Sequence, residues 1–299
     1  MIDLSQIPAP NIIEPLDFEA LLTVRKQELV DALPEDQRAS IQTVLSLESE
    51  PLNKLLQVST YRELLLRQRV NDAARAVMLA HAVGTDLDNL GANWGVVRLV
   101  VTPADDNALP PVAAVMESNA EFRRRILLRL EAFTTAGSDA AYQYHALSAS
   151  GQVRDVSVDS PTPGSVVVYV LSREGDGTAS EEVLGLVRSA LSRQTVRPLT
   201  DNVSVLSASV VHYTVSAELI VDRGSDAAVV HQAALDATQA YADSVHRLDA
   251  DPSISGNYRA LHQPGVLRAV LLTPASDIMM SIGQAAYCTD IDITTAVES

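Results

Sequence analysis

The sequence predicts an α+β protein, with an N-terminal extended arm and long helices forming a helical bundle, followed by two small α+β domains with mainly antiparallel strands. Three observations carry this. Prolines 8, 10 and 15 alternate with isoleucines at the start, which suits extended chain and not helix. Apolar residues then recur at helical spacing as far as about residue 150. From residue 153 the texture changes to β-branched, alternating segments separated by turn residues. The implied division is 1–84 (arm and long-helix bundle region), 85–150 (helical connecting region), 151–210 (first α+β domain) and 211–299 (second α+β domain).

Taken in order, the arm holds Ile7, Pro8, Pro10, Ile12 and Ile13, an apolar set expected to dock on the chain's own body or on a partner. From Asp17 to Leu33, Phe18, Leu21, Leu22, Val24, Leu29 and Val30 cluster at helical spacing, and Pro34 ends the run. Residues 52–83 contain neither Gly nor Pro and read as one helix about 50 Å long, with Gly84 as its stop. Within it Leu66, Val70, Ala73, Val77 and Ala80 alternate steps of four and three, the spacing of a seam that packs on other helices. A core helix of a single bundle has the same spacing. Gly84, Gly91 and Gly95 bracket a short segment in which Asp86 reads as a helix cap.

A proline-rich loop (103–111) leads to a helix over 117–133, then a further helix over 139–149. A hairpin follows, 153–159 and 165–172 about the turn Pro161-Thr162-Pro163-Gly164. A helix over 180–193 and a strand over 203–209 complete the first block. The second has a strand over 211–222, a helix over 226–245, a short helix near 255–262, and strands over 266–272 and 285–294. Each block sets a helix between strands, a weak sign of duplicated units without sequence repetition.

Composition bounds the partners. The 299 residues carry 22 basic and 38 acidic side chains, a formal net charge of −16, and the acid excess is shared by both halves. Nucleic acid and anionic lipid both call for a cationic face, so no nucleic acid and no membrane are expected as partners. Lys26 and Lys54 are the only lysines; the arginine preference suits protein interfaces, and GC-rich coding would produce the same skew. One cysteine, Cys288, excludes an internal disulfide and a cysteine zinc site and reads as an inert thiol. The start lacks a signal peptide's basic and apolar regions, and no window approaches a membrane span. A soluble protein of a reducing cytoplasm is the expectation.

Motifs for chemistry are absent. Neither a Gly-x-Ser-x-Gly elbow, a phosphate-cradling Gly-x-x-x-x-Gly-Lys loop nor a full Gly-x-Gly-x-x-Gly fingerprint occurs. Asp86 and Asp88 lack the Gly and closing Glu of a calcium loop. The six histidines include no pair at i, i+3 or i, i+4. Carboxylate pairs for glycoside hydrolysis cannot be told apart among 38 acids, but the one Trp and three Phe offer few rings for sugars. No catalytic, cofactor or metal residues are therefore assigned. Arg123, Arg124, Arg125 and Arg129 form the one basic cluster. It reads either as an anion or nucleic-acid contact or, more simply, as a helix surface paired with Glu117, Glu121, Glu131 or an acidic neighbouring subunit.

Four passages, IDLSQIPAPNIIEPLDFEALL, GTDLDNLGANWGVVRL, TAGSDAAYQYHALSASGQVRDVSVDSPTPGSVVVYVLS and LHQPGVLRAVLLTPASDI, together resemble the baseplate J-like family in the same order over nearly the whole chain. That family supplies the wedge component of contractile phage tails and related particles such as R-type pyocins. The resemblance implies a structural, non-enzymatic role without cofactors, in a ring around the hub and spike that helps couple fibre engagement to sheath contraction. It implies as partners other baseplate wedge proteins (a fibre-connecting wedge partner and a small lysozyme-like wedge protein) and another copy of itself. It places Leu66, Val70, Ala73 and Val77 in a shared bundle and Arg123 to Arg125 between wedges, and locates the protein in the host bacterial cytoplasm during assembly and then in the particle's baseplate. The alternative is a tail-associated carbohydrate- or peptidoglycan-acting hydrolase.

Overall fold

In the computed structural model, residues 7, 10–133, 137–193, 196, 198 and 200–297 are described. The chain separates into two compact units, Met1–Val97 and Arg98–Ser299.

The first unit is helical: α1 (Phe18–Asp31), α2 (Glu35–Ser46), α3 (Pro51–Ala76) and α4 (Gly84–Ala92). Asp17 caps α1 by accepting from the Ala20 N–H at 2.7 Å, and Pro51 opens α3 where its missing N–H costs nothing. α1, α2 and α3 pack on one another, with Leu22, Val30 and Leu45 in their core. The α2 segment went unread in the sequence because Pro34 looked like a stop. It is also the residue from which α2 begins.

The helix expected over 52–83 stops earlier. α3 has 26 residues, about 39 Å, and Val77 is its C-cap. The Met78 N–H bonds Arg75 O and the Ala82 N–H bonds Met78 O, so the chain turns and carries Ala82 inside at 1% exposure. Continuing the helix is worth only tenths of a kcal/mol per residue, whereas burying Leu87 is worth about 2 kcal/mol. Ala80 therefore lies in the turn and not on a helical seam. Gly84 does mark a boundary, with φ +54, but as the first residue of α4. Asp86 is not a cap. Val83 holds that position and Asp86 lies in the first turn, where its charge suits the helix dipole.

The second unit begins with a two-stranded ribbon, β1 (Val100–Thr102) antiparallel to β2 (Val115–Met116). α5 (Asn119–Glu131) and α6 (Asp139–Leu147) follow, then β3 (Val153–Thr162), β4 (Ser165–Ser172), α7 (Glu181–Leu191) and β5 (Asn202–Ser207). These three strands form a sheet in the order β3-β4-β5, with Val156 opposite Val170 and Val168 opposite Val205. The remaining elements are β6 (Ser209–Val221), α8 (Ala227–Val245), α9 (Ile254–Leu261), β7 (Val266–Thr273) and β8 (Gln284–Val297), with sheet order β7-β6-β8. Alternate β6 residues Tyr213, Val215, Ala217, Leu219 and Val221 are buried, and the last three pack with Val230, Ala234 and Leu261 of α8 and α9.

The strands are less antiparallel than expected. β4–β5 and β6–β8 are parallel, and β6–β8 is the longest pairing among the described residues. The reason is the helical crossovers: a strand that returns through a helix can lie parallel to the one it left. Within this unit the two sheets are joined by polar bonds. Leu248 donates its N–H to Asp155 at 3.1 Å, Arg154 donates to the carbonyls of His246 and Asp243, and Asp249 accepts from Ser157 Oγ and the Gly283 N–H.

Candidate assembly interface

α3 turns a polar face inward and an apolar one outward. Asn53, Thr60 and Asn71 are buried, and Leu64 and Gln57 lie half-buried beside them. On the opposite side Leu66 is 69% exposed, Val70 59% and, just past the helix end, Val77 70%, with Ala73 exposed between them. Leu55, Val58, Tyr61 and Leu65 are exposed too. An open groove of about 530 Å³ runs along this helix, lined by Phe18, Gln57, Val58, Tyr61, Arg62 and Leu64. Contiguous apolar surface of this kind makes the outward side of α3 the candidate docking surface of the unit. That Leu66, Val70 and Ala73 share one side of the helix was legible from their spacing. The doubling of that side by Leu55, Val58 and Leu65 was not, because apolar residues all round a helix do not say which side is covered.

The arm is fastened at its end to α3. Glu14 donates its N–H to Asn71 Oδ1 at 3.1 Å and accepts from Asn71 Nδ2 at 2.9 Å, while its carboxylate pairs with Arg67 at 2.8 Å. Pro10 accepts from the Ile13 N–H in a turn. Ile7 and Ile12 keep exposed side chains, Ile13 is half-buried, and Pro8 lies outside the described residues. The signal for this fastening was Asn71, the wrong residue type for a helix interior unless its amide serves another segment.

The arginine cluster on α5 is split by the fold. Arg125 is 3% exposed and grips Glu117 through two N–H···O bonds of 2.8 and 2.7 Å, with a third bond to Ser148 Oγ. Glu117 was among the acids expected to pair with the cluster. Arg124 bonds Asp155 at 2.7 Å, and Arg129 stacks over the rings of Phe133 and Tyr144. Arg123 is half-buried. Arg125 thus belongs to the interior, whereas Arg123, Arg124 and Arg129 retain accessible surface. Neighbouring Glu121 has its carboxyl held below the usual range by Ser118 and Arg173, against the opposing and largest effect of its burial.

Among the described residues, no group of three or more His, Cys, Asp or Glu is placed to hold a metal ion, and no helix is long and apolar enough to cross a membrane. Cys288 is half-buried, with its thiol pushed up by burial. The developed features are contact surfaces: a helix with an outward apolar face, a fastened arm and a partly accessible arginine helix. They make the chain a candidate for assembly with others. Family models place it more narrowly: residues 48–105 match the baseplate J-like N-terminal domain and residues 134–207 the baseplate J-like central domain. Baseplate protein J of Escherichia phage P2 is 49% identical over 295 residues, covering 99% of this chain and 98% of that protein. The chain belongs to the baseplate J-like family.

Proposed function

We propose that this chain is a structural wedge component of a contractile tail baseplate, assembling into a ring around the hub and helping to couple fibre engagement to sheath contraction. The observation that carries the reading is end-to-end similarity to a phage baseplate protein in a chain whose longest helix faces its apolar side outward. In this reading α3 joins a helical bundle through Leu66, Val70, Ala73 and Val77, shared with a fibre-connecting wedge protein and another copy of the chain. The 151–210 and 211–299 halves make contacts between wedges, to which Arg123, Arg124 and Arg129 contribute. The apolar arm side chains Ile7 and Ile12 dock on a neighbour. Folding takes place in the host cytoplasm, before incorporation into the particle.

The test is co-expression with the neighbouring tail proteins and sizing of the complex. Val70→Asp places a charge on the exposed seam without touching the core, so the chain stays folded and the complex is lost. An unchanged complex would sink the bundle assignment, and peptidoglycan turnover by the purified protein would overturn the scaffold role itself.

A further inference from the structure

The outward face of α3 is not uniformly apolar. At 3.6 residues per turn, Arg62 and Arg69 fall nearly on one line two turns apart, along the middle of that face. Leu55, Leu66 and Val70 flank the line on one side, and Val58, Leu65 and Tyr61 on the other. Both guanidinium side chains are exposed, and neither makes an ion pair or side-chain hydrogen bond among the described residues. The other arginines of the helix are engaged: Arg67 with Glu14 and Glu63, Arg75 with Asp72. The two acids of α3 are used as well, Glu63 by Arg25 and Arg67, and Asp72 by Arg75 and Gln68. In a chain of net charge −16, α3 carries Lys54, Arg62, Arg67, Arg69 and Arg75 against Glu63 and Asp72, a local cationic excess.

Covering this face with another helix takes Arg62 and Arg69 out of water. A desolvated charge without a counter-ion is strongly unfavourable, so the covering helix must bring carboxylates. A second copy of α3 laid over this line cannot do so, because the same two arginines would meet their own kind, so another copy sharing the bundle lies beside the line and not over it. We infer that the outward face of α3 receives a helix of a different chain, with an apolar contact strip and carboxylates set to meet Arg62 and Arg69. This rests on the bundle reading of α3 and adds the partner's chemistry to it. The ridge supplies register and choice of partner, the apolar flanks the area.

The probe is a fluorescein-labelled four-heptad peptide with leucine at a and d and glutamate at e and g, compared with its lysine counterpart. Binding to the full chain is followed by fluorescence anisotropy. The glutamate peptide is expected to bind about tenfold or more tighter than the lysine one, with the difference shrinking as salt rises. Arg62→Gln/Arg69→Gln brings the two affinities together, and Arg62→Glu/Arg69→Glu reverses their order; circular dichroism confirms that each variant is folded. Equal affinity for both peptides, binding of the lysine peptide alone, binding of neither, or an unchanged order in the Glu variant overturns the inference. Loss of the co-expressed complex in Val70→Asp beside any of these results leaves the bundle standing and removes only the acidic partner.

Discussion

Arg125 and Glu117 show how much a single buried pair can hold. Glu117 accepts two bonds from the guanidinium and a third, at 3.2 Å, from the Leu99 N–H, so it ties the start of the ribbon to α5. Arg125→Ala leaves the carboxylate buried without its counter-charge and is expected to cost about 3–5 kcal/mol in a urea denaturation midpoint analysis. The double variant Arg125→Met/Glu117→Leu should recover part of that loss. It cannot recover all of it, because the Leu99 N–H remains unpaired. Gly151 sits under the same ribbon, where an added Cβ would fall 2.0 Å from the Val100 carbonyl oxygen, so Gly151→Ala forces the backbone apart and should cost about 1–3 kcal/mol. His246 brings pH into the account. It is 7% exposed and its Nδ1–H donates to the Ala286 carbonyl at 2.8 Å; burial lowers its pKa, with help from nearby Arg154, against the opposing pull of that hydrogen bond and, more weakly, of Asp243 and Asp176. Unfolded, the ring binds a proton near pH 6.5. Its folded pKa lies below that, so its stabilising contribution is whole above pH 6.5 and is lost as pH falls through the folded value. His145, lowered by burial and then by Arg129 and Arg193, acts in the same direction. Thermal melts should weaken from pH 7 to pH 5, and less so in His246→Gln; an identical slope in the variant would refute the assignment.

At the scale of the element, α5 owes its start to a capping box. Ser118 accepts from the Glu121 N–H at 3.3 Å, and Glu121 accepts in return from the Ser118 N–H at 3.1 Å. Ser118→Ala is expected to lower stability by about 1 kcal/mol with little change in the m-value, since one helix end frays and the core stays closed. The helix was expected over 117–133 from its apolar run, but the capping box that sets its start was not read, although Ser118 and Glu121 stand three apart before that run. The hairpin of β3 and β4 and the alternation of β6 were plain, since a strand buried on one face writes its period into its residues. What stayed hidden depended on distant segments. The turn at Val77 exists because Ala82 and Leu87 have an interior to enter, and the parallel pairing of β6 with β8 because α8, α9 and β7 intervene. Of the candidate site, the placing of Leu66, Val70 and Ala73 on one side of the helix was legible, but the residues buried opposite them are Asn53, Thr60 and Asn71. No rule that sends polar residues outward finds that arrangement. It fits the proposed reading, in which the helix makes a small polar contact within the chain and offers its apolar side to a partner.

For the whole molecule the governing quantity is charge per area. A net charge of −16 spread over 17236 Å² leaves one net charge per about 1,000 Å², a mean spacing of about 30 Å. That spacing equals the screening length at about 0.01 M salt and is several times the roughly 8 Å that holds at 0.15 M. Repulsion between copies is therefore long-ranged in dilute buffer and short-ranged at cellular ionic strength. The exposed apolar face of α3 pulls the other way and does not weaken with salt. A third force also acts, attraction of Arg62 and Arg69 on one copy to acidic surface on another, which salt screens as well. Two local charges cannot outweigh sixteen at a distance, so repulsion should dominate until copies touch. Light scattering should give a clearly positive second virial coefficient near 0.01 M salt, falling toward zero or below it as salt rises past 0.15 M. Val70→Asp, with the apolar face interrupted, should stay positive to higher salt. A coefficient that instead rises with salt would mean that the arginine ridge already governs encounters between copies, and that the acidity of the chain promotes self-association where it was expected to restrain it.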